Sequence, residues 1–284
     1  MKLTTNKKII FIIIVILVIL TIFLIWQNNS IIMTNINYVN NAIPDGFNGY
    51  RIVHISDLHN KKFGSNQKEL INKIKKVSPD IIVITGDLID RRRYNLDIAM
   101  EFVEEALKFA PVYYVSGNHE AWSGKYDTIK QELTKVGVII LDDKRIELER
   151  ENEIINILGL SDPAFVTTEY SEKTDTSLLR ENIELLSTNE NFEILLSHRP
   201  ELFDIYIENN VDVVFSGHAH GGQIRIPFIG ALFAPNQGVL PKYTSGEYKQ
   251  GNTTMIVSRG LGNSLFPFRI FNRPEIIVVN LYNK

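Results

Sequence analysis

Residues 50–59, YRIVHISDLH, and residues 80–90, DIIVITGDLID, are built alike: a short apolar run that stops at side chains able to bind ligands. Apolar runs of this length bounded by turn signals suit strands buried on both faces. Between the two runs, Leu70, Ile71, Ile74 and Val77 fall at helical spacing within Asn66 to Val77. Leu96, Ala99, Phe102, Val103 and Ala106 mark a second helix, PVYYVS (111–116) a third strand, and Ile129, Leu133 and Val136 a third helix. This alternation predicts right-handed βαβ units on a largely parallel sheet.

The middle of the chain reads differently. VGVIILDDKRIELERENEIINILGL (136–160) predicts a meander of short antiparallel strands in a second sheet. Pro163 to Thr176 reads as a loop and Ser177 to Leu186 as a helix. FEILLS (192–197), a helix from Pro200 to Asn209, and DVVFS (212–216) resume the alternation, and TTMIVSRG and EIIVVNLY close the chain with strands. At 284 residues the chain is long enough for one large domain or two small ones. It shows no internal repeat and no interdomain linker.

The first segment is of another kind. Ile9 to Trp26, IIFIIIVILVILTIFLIW, carries no charge and follows Lys2, Lys7 and Lys8. As a helix it would cover roughly 27 Å of a hydrocarbon layer about 30 Å thick. A cleaved signal peptide would have a shorter apolar run and a small-residue cleavage site, whereas here Gln27, Asn28 and Asn29 follow, so an uncleaved anchor is the expectation. The first basic residue after the helix is Arg51, and the positive-inside rule then predicts a single-pass protein of the cell membrane, with a cytoplasmic N-terminus and an extracytoplasmic body. The expected divisions are a basic leader (1–8), the anchor (9–26), an asparagine-rich spacer with one candidate strand (27–49), and a body (50–284). Of the 30 basic residues three lysines precede Trp26, which leaves the rest of the chain more acidic than its overall net charge of −3. An acidic body is a poor general binder of nucleic acid.

The apolar strands share one feature. RIVHIS leads to Asp57 and His59, DIIVITG to Asp87, PVYYVSG to Asn118 and His119, FEILLS to His198, and DVVFSG to His218 and His220. In α/β sheets, ligands bind outside the carboxyl ends of the strands. Taken singly, each group has a bland alternative: an Asx turn with a surface imidazole, a helix cap through Asp87 or Asp90, a plain turn at Gly-Asn-His-Glu. Gly217-His218-x-His220 is harder to dismiss, because residues two apart on an extended segment face the same way. Of six histidines only His54 lies inside a strand, where a packed or half-exposed role is expected. The chain has no cysteine, so a metal would have to be held by nitrogen and oxygen.

Asp57-x-His59, Gly86-Asp87-x-x-Asp90, Gly117-Asn118-His119-Glu120, His198 and Gly217-His218-x-His220, in this order, resemble the calcineurin-like metallophosphoesterases, from about Tyr50 to the C-terminus. GHAHGGQIRIP, SRGLG and RPEI resemble the membrane-associated bacterial branch, of the YkuE and YaeI type and the UDP-diacylglucosamine hydrolases. The resemblance implies an α/β fold, a four-layer αββα sandwich, here preceded by one transmembrane helix. It implies two divalent cations, of manganese, iron or zinc, one held by Asp57, His59, Asp87 and His220 and the other by Asp87, Asn118, His198 and His218. A bridging hydroxide would attack the phosphorus and His119 would act as general acid. Asp90 and Glu120 are expected behind the ligands, holding histidine or backbone donors.

The implied activity is a metal-dependent phosphoesterase cutting a phosphodiester or pyrophosphate bond, in a lipid or cell-envelope precursor. The alternatives are a nuclease or nucleotide phosphodiesterase and a non-catalytic metal-binding envelope protein. No protein partner is indicated. Arg91, Arg92 and Arg93, and separately Arg225, Arg259 and Arg269, are candidate contacts to a substrate phosphate, with a solvated helix leader as the competing role of the first three. Pro227 to Pro235, PFIGALFAP, is a candidate greasy wall or lipid contact, with ordinary core packing as its competing role.

Overall fold

The computed structural model describes residues 5–167, 174–263 and 266–284. Its first element, α1 (Thr5–Asn29), extends beyond the expected anchor at both ends. The span Asn6–Asn29 is long and apolar enough to cross a membrane, with a hydropathy of 3.6, and none of its apolar window is buried against the body.

The βαβ alternation builds the first sheet. β1 (Ile32–Val39) is its edge, and β2 (Arg51–Ile55), β3 (Ile81–Thr85), β4 (Val112–Val115) and β5 (Ile139–Ile140) run parallel to one another, linked by α2 (Lys68–Val77), α3 (Leu96–Ala106), and α4 (Asn118–Trp122) with α5 (Tyr126–Val136). The C-terminal strand Glu275–Tyr282 inserts between β1 and β2, parallel to the first and antiparallel to the second, completing six strands. A second six-stranded sheet holds β6 (Lys144–Arg150), β7 (Glu153–Gly159), β8 (Phe192–Leu196), β9 (Val213–Ser216) and the hairpin Gly246–Gln250 with Thr253–Val257. α6 (Ser177–Leu186) and α7 (Phe203–Glu208) cover its outer face.

Strand periodicity sorts the side chains into three cores. On β3, Ile82 and Ile84 pack with Leu70, Phe102 and Leu133 of the helices, while Ile81 and Val83 point the other way and meet Ile194 and Phe215 of the second sheet. On β8 and β9, Leu195 and Val214 pack with Leu179, Ile183, Phe203 and Tyr206. Helices, sheet, sheet, helices is the four-layer αββα sandwich.

Four expectations need correction. The meander of 136–160 is only a hairpin: β5 pairs parallel with β4 in the first sheet, β6 and β7 pair antiparallel in the second, and β7 runs parallel to β8. The apolar run at 138–141 completes one more βαβ step, and Asp143, at φ +52°, lies where the chain passes between sheets. In residues 27–49 the candidate strand is present as the edge strand β1, but the segment is more than a tether, since Ile36, Tyr38, Ile43 and Phe47 are buried between the sheets. The helix of 200–209 begins as a 3-10 turn, Pro200–Leu202, before α7. The loop expected at Pro163 to Thr176 opens with a 3-10 turn, Pro163–Phe165, and its residues 168–173 lie outside the described residues.

Phe47 is fully buried and meets the Tyr50 ring edge-on at 5.2 Å. Phe47→Ala should lower the unfolding free energy by about 3–5 kcal/mol in a denaturant titration. A loss under about 1 kcal/mol would show the segment to be a mere tether.

Candidate metal centre

Five strands of the two sheets deliver the polar residues at their ends to one pocket. Asp57 and His59 follow β2, Asp87 follows β3, and Asn118 and His119 open α4 after β4, while His198 follows β8 and His218 and His220 follow β9. The seven residues Asp57, His59, Asp87, Asn118, His198, His218 and His220 are each 4% exposed or less. Potential ligand atoms of Asp57, His59, Asp87 and His220 all lie within 4.8 Å of one another, and so do those of Asp87, His198 and His218. Asn118 Oδ1 is 3.1 Å from His198 Nε2, so it joins the second group. Asp87 is common to both.

The donor chemistry fits cations. His59 Nε2 and His220 Nε2 face each other at 3.0 Å, with Asp57 Oδ1 at 3.3 Å from His220 Nε2 and Asp87 Oδ2 at 3.5 Å from His59 Nε2. Two ring nitrogens and two carboxylates converging away from water suit a divalent ion of nitrogen and oxygen preference. Neighbours fix the tautomers of the other pair. His198 Nδ1 lies 2.6 Å from the Thr85 carbonyl, so it keeps its proton and Nε2 is the atom whose lone pair becomes available once the ring is neutral. His218 Nε2 lies 3.0 Å from Asn236 Oδ1, which leaves Nδ1, 3.2 Å from His198 Nε2, facing the site.

The buried carboxylates and imidazoles shift one another's protonation. Burial pushes Asp57 up, but His220 and a hydrogen bond from His59 outweigh it and hold the carboxyl below its usual range. Asp87 is likewise held well below its usual range, His198 prevailing over burial. In return, Asp87 overrides the effect of burial on His198 and raises it to about 10. His220 is lowered to about 3, chiefly by burial.

The backbone is bent to make this possible. Asp57, His59, Asp87, His218 and His220 all have φ between +46° and +61°, a region that side chains occupy at a cost of order 1–3 kcal/mol each. The Asp57 carboxylate accepts the His218 N–H at 3.1 Å, and the Asp87 Oδ1 accepts the His119 N–H at 2.8 Å. Glu120, fully buried, accepts N–H groups from Asp87 and Gly117, both at 2.8 Å, and from Ile89 at 3.2 Å. Gly217 leaves room for Asp57: a Cβ there would stand 1.8 Å from Ser56 Oγ and 2.4 Å from Asp57 Oδ2. His54 is buried away from the pocket's ligand atoms, its Nε2 2.8 Å from Thr85 Oγ1.

His119 packs edge-on against His59, ring centres 4.4 Å apart. Its Nδ1 accepts the Arg91 N–H at 3.2 Å, which leaves Nε2–H as its free donor. Burial, with some repulsion from His59, lowers its pKa to about 4. Asp90 caps the turn that follows it, accepting the Arg92 N–H at 2.9 Å and the Arg93 guanidinium at 2.7 Å.

The candidate phosphate contacts separate. Arg93 and His59 line one cleft together with Lys61 and Asn95, and Arg91 lies over the Trp122 ring at 5.1 Å. Arg269 is instead a buried strut, donating to the carbonyls of Arg259 at 2.9 Å, Gly262 at 3.1 Å and Asn272 at 3.3 Å. Arg225 donates to the Gly221 carbonyl at 3.0 Å and braces the turn after His220. Arg259 lies beside Glu275, Nε to Oε1 4.0 Å. Among Pro227 to Pro235, Ala231 and Ala234 are buried but Phe228, Ile229 and Phe233 are exposed, so core packing accounts for only part of the stretch.

Sequence reading missed Asn236, Thr85 and a buried bidentate pair in which Arg199 donates to Asp162 at 2.8 and 2.9 Å. Glu201 stands near by, 3.8 Å from His218 Nε2. Asn236 follows a proline in an apolar stretch and looks like a turn residue. Only the adjacency of Arg199 to His198 hinted at a role.

Two sheets that aim carboxylates, imidazoles and an amide into one buried pocket define a metallophosphoesterase fold. The chain belongs to the calcineurin-like phosphoesterase family, whose match covers residues 50–222. It is 34% identical over 247 residues to the uncharacterised metallophosphoesterase YkuE of Bacillus subtilis (strain 168), covering 84% of this chain and 81% of that one. It is also similar to the phosphodiesterase YaeI of Escherichia coli (strain K12), 24% identical over 86% of this chain and 84% of the other. A further relative is the UDP-2,3-diacylglucosamine pyrophosphatase LpxG of Chlamydia muridarum (strain MoPn / Nigg), 26% identical over 90% of this chain and 92% of that one.

Gly217→Ala should force Ser56 and Asp57 apart and cost about 1–3 kcal/mol of stability. A thermal melt identical to the parent's would show that the pocket tolerates the extra methyl group.

Proposed function

We propose that this protein is a membrane-anchored, two-metal phosphoesterase that hydrolyses a phosphodiester or pyrophosphate bond in a lipid or cell-envelope precursor. The observation that carries this reading is the pair of donor groups sharing Asp87, each within 4.8 Å. In it, Asp57, His59, Asp87 and His220 hold one cation, and Asp87, Asn118, His198 and His218 the other. Bound cations would supply Lewis acidity toward the phosphoryl oxygens and a water of lowered pKa. α1 is the anchor, with its N-terminus cytoplasmic and the body outside. The names of YaeI and LpxG, a phosphodiesterase and a pyrophosphatase acting on a diacylated sugar nucleotide, support the bond type and the substrate class.

The chain's own groups do the rest. Glu120 fixes the backbone of Asp87 and Gly117, and Asn236 fixes the tautomer of His218. His119 presents Nε2–H to the leaving oxygen. Neutral before substrate binds, it takes up a proton from solvent when the negative charge of the substrate raises its pKa, and gives up the Nε2 proton to the leaving oxygen. Arg93 and Lys61 line the cleft that His59 reaches and attract an anionic headgroup.

The protein should hydrolyse bis(p-nitrophenyl) phosphate with manganese and lose that activity to a chelator. His119→Ala should lower kcat about 10²- to 10⁴-fold with metal content unchanged. Inactivity with every divalent metal would leave a non-catalytic binder, and faster cleavage of DNA or RNA than of any lipid phosphoester would make it a nuclease.

Metal binding should release protons. With its pKa raised to about 10, His198 is protonated at neutral pH and must give up that proton to become a ligand. Metal affinity should therefore rise between pH 6 and pH 9, by up to about tenfold per unit. Calorimetry in buffers of different ionisation heat should show about one proton released or more, and zero release would contradict the assignment.

A further inference from the structure

α1 does not hang from the body on a slack tether. Asn28 Oδ1 accepts from Asn263 Nδ2 at 2.8 Å and from the Arg269 N–H at 3.2 Å, and its carbonyl accepts from Lys61 Nζ. Gln27 Oε1 accepts the Asn272 N–H at 3.2 Å, and the Arg273 guanidinium lies 4.7 Å from the Trp26 ring centre. One turn earlier, Phe23 meets Phe271 edge-on at 5.5 Å. The last turns of the helix are thus docked on Asn263 and on the segment from Arg269 to Arg273, and lipid around the helix would lie against those residues.

That side of the body is greasy. Phe268 and Phe271 are exposed beside the helix, and the Ile224–Ile270 bridge joins their segment to the one bearing Phe228 and Ile229, which are also exposed. A cleft of about 290 Å³ connects this rim to the ligand set, because the exposed Phe233 and Phe266 share its lining with His220. Gly222, Ile224, Leu232 and Pro235 also line it, and among the described residues Gln223 is its only other polar side chain. Such a lining cannot satisfy the hydroxyls of a sugar or the edges of a base. It suits methylenes, each of which gains about fourfold in affinity on leaving water.

We propose that this cleft takes an alkyl chain of a lipid drawn from the bilayer around α1, placing the phosphate of that lipid over the ligand set. The proposal rests on the membrane-anchored phosphoesterase reading above and names its substrate as an amphiphile. The chain occupies the cleft at His220, while the polar cleft of about 350 Å³ at His59, lined by Asn60, Lys61, Arg93 and Asn95, receives the headgroup.

The test reads binding and not turnover. Full-length protein in nanodiscs, loaded with manganese, is titrated calorimetrically with methyl-, butyl-, hexyl- and octylphosphonate, with empty nanodiscs subtracted. Kd should fall at least tenfold from methyl to octyl in the parent, and in Leu232→Trp, which fills the cleft, the two should agree within about threefold. A series flat with chain length in the parent overturns the cleft even if the protein hydrolyses phosphodiesters. A steep series upholds the cleft even if no hydrolysis is found. Tighter binding of adenosine monophosphate than of octylphosphonate would give the cleft to a base and overturn the proposal.

Discussion

Two carboxylates with almost no access to water, Asp57 and Asp87, set the terms for the rest of the site. A buried charge is tolerated only when it is paired and hydrogen-bonded. Both receive backbone N–H groups, from His218 and His119, and both are ringed by imidazoles. The imidazoles do not respond alike. His198 is raised toward the protonated form, whereas His218 and His220 are pushed down and keep their lone pairs. Carboxylates and imidazoles thus balance one another's charge inside the pocket.

The αββα sandwich makes that concentration of charge affordable. Three apolar cores, two of them against helices and one between the sheets, hold the twelve strands of the two sheets, which carry no part of the pocket's strain. The strain is confined to the residues just past the strand ends, where five ligand-type residues take left-handed φ. Gly217 contributes by having no side chain where the Asp57 carboxylate needs to lie. Rigid strands and bent ends are separate tasks, and the sequence divides them at the last apolar residue of each run.

That division is why the body was largely legible. Alternating apolar runs reported the first sheet, and polar residues after each run reported which side chains meet in the pocket. Long-range pairing stayed hidden. Nothing in 32–39 announces that it will lie parallel to 275–282, and nothing in VGVII says that its strand pairs backward with Tyr113 and Tyr114 and not forward in a meander. Arg269 looked like a phosphate ligand because the chemistry of guanidinium is the same whether it meets phosphate or carbonyls. Its fate was decided by the carbonyls of Arg259, Gly262 and Asn272, which only the folded chain assembles. Phe228 and Ile229 carried the opposite ambiguity, since an apolar stretch reads the same whether it is packed inside or left on the surface.

The segment that receives α1 also braces the pocket. Gly262 N–H donates to the Asp57 carbonyl at 2.6 Å and Leu261 N–H to that of Ser56 at 3.1 Å. Asn272 Nδ2 donates to the His220 carbonyl at 2.7 Å while its own N–H is held by Gln27 of the helix. Asn263 and Arg269 contact Asn28 on one side and carry the Gly262 turn on the other. Asp57 and His220, from different sheets and 163 positions apart, are therefore tied to the same short stretch that grips the apolar helix. A change in the angle of that helix would have to be absorbed by the hydrogen bonds that set the backbone of both residues. The helix is thus part of the frame of the pocket, and the body is held in a fixed orientation relative to it.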